Sequence, residues 1–102
     1  MKIRKYLELH NIDFYPEHWF PDCRDEKPLP FDFYLYNNNI AIEFDGEQHF
    51  EDTHYFNYSI EKNRLHDEIK TDYCRKNDIK LIRIPYWDLN KIDKILDKEL
   101  FT

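Results

Sequence analysis

Apolar and polar residues alternate along Phe31-Asp32-Phe33-Tyr34-Leu35-Tyr36 and again along Ile40-Ala41-Ile42-Glu43-Phe44-Asp45, with Asn37-Asn38-Asn39 between them. A period of two marks a half-buried strand, and asparagine suits a tight turn because it tolerates positive φ. The pattern predicts a β-hairpin. With Asn38-Asn39 as a two-residue loop, Leu35 would face Ile42, Phe33 would face Phe44, Tyr34 would face Glu43 and Asp32 would face Asp45. Side chains alternate faces along a strand. The first two pairs would then form an apolar face, and the last two would gather Asp32, Glu43 and Asp45 on the other.

Elsewhere the period changes. Ile3 and Leu7, four apart with Tyr6 and Leu9 beside them, predict a helix over residues 2–10. Ile12 to Phe20 is mixed and aromatic and suits an edge strand interrupted at Pro16. Pro21 to Pro30 reads as a loop, and residues 46–58 as a polar, aromatic one. Ser59 is a candidate N-cap for a helix running to about Lys76, with Leu65, Ile69 and Tyr73 as its buried stripe and Asn77 as a left-handed stop. Ile79 to Ile84 is a short strand ended by Pro85. A last helix, Asn90 to Leu100, turns Ile92, Ile95, Leu96 and Leu100 inward. The predicted order is α-β-β-β-α-β-α.

The length of 102 residues sets this as one small domain able to bury a modest core, with eight Phe, eight Tyr and two Trp supplying much of it. The single glycine, Gly46, directly follows Asp45, which suggests unusual backbone geometry or a close approach there. No apolar run reaches transmembrane length, and Lys2, Arg4 and Lys5 are followed by Glu8, His10 and Asn11 rather than a signal-peptide core. Cys23 and Cys74 lack metal-ligand spacing and read either as a disulfide or, as a reducing cytoplasm favours, as two buried free thiols. These features predict a soluble, cytoplasmic protein in a reducing compartment, with no membrane partner. The net charge of −6 opposes strong nucleic-acid binding, which depends on neutralising phosphates. Basic residues do recur at Arg64, Lys70, Arg75, Lys76, Lys80 and Arg83. The balance suggests that a further DNA-binding domain or subunit helps hold any nucleic-acid substrate.

Strand carboxylates are commonly just solvated on an exposed face. Here Ala41, Tyr34 and Tyr36 share the predicted face with Asp32, Glu43 and Asp45, as on a partly covered surface. Like charges opposed across strands destabilise a sheet, so the arrangement calls for a compensating cation. Magnesium, which favours oxygen ligands, is the usual one, and Mn²⁺ is its natural substitute. His49 lies four residues past Asp45 and reads either as a proton relay or as a surface loop histidine. Gln48 could orient phosphate or water. On the second predicted helix, Asp67 and Lys70 are three apart and form either an ordinary surface ion pair or part of the site. The second option needs that helix to pack beside the hairpin. A zinc set of His18, Cys23, His54 and Cys74 has no close ligand pair, while Trp19 and Trp87 suit core or edge packing or stacking on a base.

The run LPFDFYLYNNNIAIEFDGEQHF, followed by HDEIKTDYCRKNDIKLIRIPYWD, resembles the branch of the PD-(D/E)XK nuclease superfamily that contains the very-short-patch repair endonuclease and the EDxHD homing endonucleases of phages. The resemblance covers roughly residues 3–98. It rests on an Asp-bearing strand, a strand ending Glu-x-Asp-Gly-x-x-His, and a helix with Asp-x-x-Lys before KLIRI. It implies an α/β, single restriction-endonuclease-like domain with an αβββαβ core, a mixed sheet and here an added C-terminal helix. It also implies magnesium-dependent cleavage of DNA to 5′-phosphate and 3′-hydroxyl ends. Asp32 would be the central metal ligand, Glu43 and Asp45 would line the metal, His49 would be the catalytic histidine and Asp67 the helix acid.

Two departures stand out. Asp45 replaces the usual lysine, so that role falls to Lys70 or is taken by His49. No clear counterpart exists for the glutamate that relatives often carry early in the first helix; Glu8 is the nearest acid. The expected function is a metal-dependent DNA endonuclease, in a minimal relative or an excised catalytic domain. The alternative is a catalytically degraded nuclease-like module that binds nucleic acid or a protein partner.

Overall fold

The computed structural model describes residues 2–45 and 56–101. Its elements are α1 (Lys2–Leu9), β1 (Tyr15–His18), β2 (Phe31–Leu35), β3 (Ile40–Asp45), α2 (Phe56–Lys76), β4 (Lys80–Pro85), a 3₁₀ segment (Tyr86–Lys91) and α3 (Ile92–Phe101). The strands form one mixed sheet in the order β1-β2-β3-β4. β1 pairs antiparallel with β2 and β2 with β3, and β4 runs parallel to β3. A parallel return needs a long crossover, which α2 supplies. The chain is an α/β fold with the predicted element order.

Two apolar layers flank the sheet. On one side Ile3, Tyr6 and Leu7 of α1 and Ile92 and Leu96 of α3 pack on Phe33, Leu35, Ile40, Ile42, Ile82 and Ile84. The hydroxyl of Tyr6 donates to Asp97 at 2.6 Å and pins α1 to α3. The other side is smaller: Cys23, Phe31, Ala41, Cys74 and Ile79, bordered by Phe20, Tyr34, Ile69, Tyr73 and Leu81. Both cysteines are free and buried. Burial pushes both thiols up, Cys74 to about 11, so they are protonated packing groups.

Helix ends explain where the chain turns. After α1, the Ile12 amide donates to the Leu7 carbonyl with Asn11 at φ 56°. After α2, the Ile79 amide donates to the Cys74 carbonyl with Asp78 at φ 56°. Both are six-to-one closures with a left-handed residue, a position that usually takes glycine. The predicted left-handed stop at Asn77 therefore belongs to Asp78. Asn77 instead donates its side-chain amide to the Tyr73 carbonyl at 2.9 Å. The helix also begins earlier than expected, at Phe56, which leaves Ser59 inside it rather than at its cap.

The hairpin register differs from the prediction. Phe33 pairs with Ile42, Tyr34 with Ala41 and Leu35 with Ile40, so four residues rather than two bridge the strands. Asn39 sits at φ 56°, and the Asn38 amide closes the turn on the Leu35 carbonyl at 3.1 Å. Asn39 is also held by its partners: its amide nitrogen reaches the Asp78 carbonyl at 3.0 Å, and its side-chain oxygen accepts from the Tyr34 hydroxyl at 2.6 Å. These tertiary bonds select the longer loop. The slip is two residues, so the predicted apolar face survives.

Candidate functional site

The site is built where β2 and β3 part. The last rung of their ladder is Phe33↔Ile42. Beyond it Phe31 and Tyr34 lie in the α2-side layer, whereas Phe33 and Leu35 lie in the α1/α3 layer. Strict alternation would have kept Phe31 with Phe33, so β2 breaks its alternation at Asp32. The Asp32 carboxylate takes over the ladder's work there, accepting the Phe44 amide at 2.7 Å. It lines a cleft with Arg4, Pro16, Glu17 and Phe33.

Glu43 is 6 % exposed and is the buried charged residue among those described. Its partner is Lys70 of α2, whose Nζ donates to Oε1 at 3.0 Å and lies 5.2 Å from the centre of the Phe31 ring. Burial pushes the Glu43 carboxyl up to about 7. Lys70 pulls against that, the nearby charge of Asp32 adds to it, and Arg83 opposes it more weakly. Arg83, opposite Glu43 in the β3–β4 ladder, places Nη1 at 3.2 Å from Asp67 and 3.6 Å from Asp45.

Three of the expected relations change. The hairpin was to present Asp32, Glu43 and Asp45 together on one face; Glu43 and Asp45 meet cations on the α2 side, while Asp32 stands at the break between the strands. Asp67 and Lys70 do not pair with each other: Lys70 turns to Glu43 and Asp67 to Arg83. Leu65 is exposed rather than part of the buried stripe. Trp19 and Trp87 are exposed, which leaves edge packing or stacking among the uses expected of them. The condition set for a functional Lys70, that α2 packs beside the hairpin, is met. His49 lies outside the described residues, as do Gly46, Gln48 and His54. Glu8 forms an exposed pair with Arg4 at 3.8 Å.

Sequence reasoning missed Arg83 as a bridge and a second cluster in which Asp25 meets Lys62 at 2.7 Å and His66 at 3.1 Å. The spacing Lys62, His66, Lys70 puts all three on one helix face, but their acidic partners lie far away in sequence. Among the described residues no three Asp, Glu, His or Cys side chains converge as a ready-made metal cage. Comparison with protein-family models, with curated proteins and with solved structures found no match for this chain.

Proposed function

We propose that the chain is a metal-dependent DNA endonuclease whose chemistry is centred on the split between β2 and β3. The observation that carries this reading is the buried Glu43–Lys70 pair beside the Asp32 carboxylate at that split. A nuclease active site needs acids to hold a hard cation and a base to offset phosphate charge, and these residues supply both types within one small region. The αβββαβ order with its mixed sheet supports the restriction-endonuclease-like fold to which the sequence is similar.

The donor chemistry fits magnesium. The candidate ligands Asp32, Glu43 and Asp45 offer oxygen only, and Mg²⁺ usually takes one or two carboxylates plus water and substrate phosphate rather than an all-protein cage. When bound, such an ion polarises the phosphate and lowers the pKa of water. The remaining work belongs to the chain. Lys70 brings an ammonium to the edge of the carboxylate set, where it offsets charge developing on phosphate. Arg83 orients Asp45 and Asp67. His49 is proposed to handle the proton.

The test is incubation with supercoiled plasmid and Mg²⁺ or Mn²⁺, beside Asp32→Ala. The parent should nick or linearise the plasmid and the variant should not. Equal cleavage by both would move the active site elsewhere. One observation favours the second reading, a degraded binding module: Lys70 and Arg83 already neutralise Glu43, Asp45 and Asp67. That module should neither cut nor gain thermal stability from Mn²⁺, whereas a nuclease should gain it.

A further inference from the structure

The outer edge of the sheet carries a stack of rings that runs from Tyr34, at the border of the smaller apolar layer, out to solvent. Tyr36 stacks on Tyr15 with centroids 4.4 Å apart, Tyr15 on His18 at 5.3 Å, and His18 on Tyr34 at 5.1 Å, with interplanar angles of 26°, 24° and 15°. Tyr15 is 49 %, Trp19 53 % and Tyr36 40 % exposed. Tyr15, Pro16, Glu17, His18 and Trp19 line a cleft of about 520 Å³. Clustered exposed apolar surface of this kind marks interaction sites.

The stack is held in place. The Tyr34 hydroxyl is fixed on Asn39 at 2.6 Å, and Asn37 donates to Asp13 at 3.3 Å beside it. Strand addition is disfavoured at this edge, because Pro16 lacks an N–H and Glu17 sits at φ 47°. The side chains therefore make the surface. Its charges are acidic: Asp13 and Glu17 are exposed around the rings. Partial desolvation, with the Asp13 carboxylate next in effect, raises the Tyr36 phenol above its ordinary value. Arg4 shares the adjoining cleft with Glu17 and is paired with Glu8.

We propose that this aromatic and acidic edge, Tyr15, Trp19 and Tyr36 with Asp13 and Glu17, docks an arginine-rich segment of a partner protein. Guanidinium is planar, stacks on aromatic faces and pairs with carboxylates, so it matches both chemistries of the surface. Phosphates of a nucleic acid would meet Asp13 and Glu17 as like charges. The net charge of −6 adds a favourable long-range field for a basic segment. This inference does not depend on nuclease activity.

The test is a titration of isotope-labelled protein with an oligoarginine peptide, without metal or DNA, read by amide chemical shifts. Shifts should concentrate on residues 13–19 and 34–37, and oligolysine should bind less tightly. Tyr15→Ala and Tyr36→Ala should each weaken binding roughly two- to fivefold. Asp13→Asn with Glu17→Gln should weaken it also, and this near-isosteric pair decides the matter if the ring variants misfold. Shifts centred elsewhere, or unchanged affinity in these variants, would overturn the proposal. So would oligothymidylate perturbing the same residues when oligoarginine does not, which would make the edge a base-stacking surface.

Discussion

Glu43 is where a single side chain bears most on both stability and chemistry. Burial lets its carboxyl keep a proton in the folded chain up to about 7, whereas an ordinary glutamate loses its proton near 4.5. Between those values the folded state binds more protons than the unfolded one, so this group's contribution to stability is complete below the window and falls as pH rises through it. Lys70 limits the loss. In Lys70→Met the Glu43 charge has no ammonium beside it, and the fall continues to higher pH. Urea denaturation should show Lys70→Met destabilised by on the order of 3 kcal/mol at pH 8 and by only ~1 kcal/mol at pH 5, where Glu43 is protonated. Equal losses at the two pH values would mean that Glu43 is not the group responding. Asp32 has two separable roles. Asp32→Asn keeps an acceptor for the Phe44 amide and should fold as well as the parent, yet lose cleavage and the metal-induced rise in Tm. Asp32→Ala also abandons that amide and should lose a further ~1–3 kcal/mol. His49→Ala should slow cleavage by roughly 10²–10⁴-fold while the metal still raises Tm. Cutting at the parent's rate would return His49 to an ordinary loop residue.

The helices differ in how their apolar residues are used. In α3 the predicted inner face holds: Ile92 and Leu96 are buried, with Ile95 and Leu100 packed against the same cluster. In α2 the described stripe begins at Ile69 and continues through Tyr73 and Cys74, with Lys70 turned to a buried acid. Leu96→Ala should therefore cost about 2–5 kcal/mol. Leu65→Ala, on an exposed position, should change stability by only ~0.5 kcal/mol. Comparable losses in the two variants would show that Leu65 is covered in solution. Among the strands, the period of two in Phe33, Leu35, Ile40 and Ile42 announced the apolar face. It could not announce the rung-by-rung pairing, because a slip of two residues leaves every side chain on its face.

At the scale of the whole molecule, the acidic balance governs what surfaces can do. Of the described cations at and beside the candidate site, Lys62, Lys70 and Arg83 face carboxylates across element boundaries, and Arg4, which shares the Asp32 cleft, pairs with Glu8 within α1. A duplex must compete with those acids for each cation. Binding to DNA without metal should be weak and fall linearly on a logarithmic salt scale. Fluorescence anisotropy over a salt series checks this. Tight binding that persists at high salt would imply a basic groove that the sequence does not advertise. Among the described residues no helix is long and apolar enough to cross a membrane.

What the sequence by itself determined was local and periodic: the order of elements and the apolar faces of α1, β2, β3 and α3. Those follow from spacing along the chain, which a reader of sequence sees directly. What only the tertiary structure decided was which charges meet. Lys70 is three residues from Asp67 but pairs with Glu43, 27 residues away. Arg83 joins Asp45 to Asp67 across two elements, and Asn39 sets the hairpin loop by bonding the end of α2. Desolvation likewise arises only once α2 covers β3. Electrostatic partners are chosen by distance in space and by the loss of water, and neither is written in the spacing of residues along the chain.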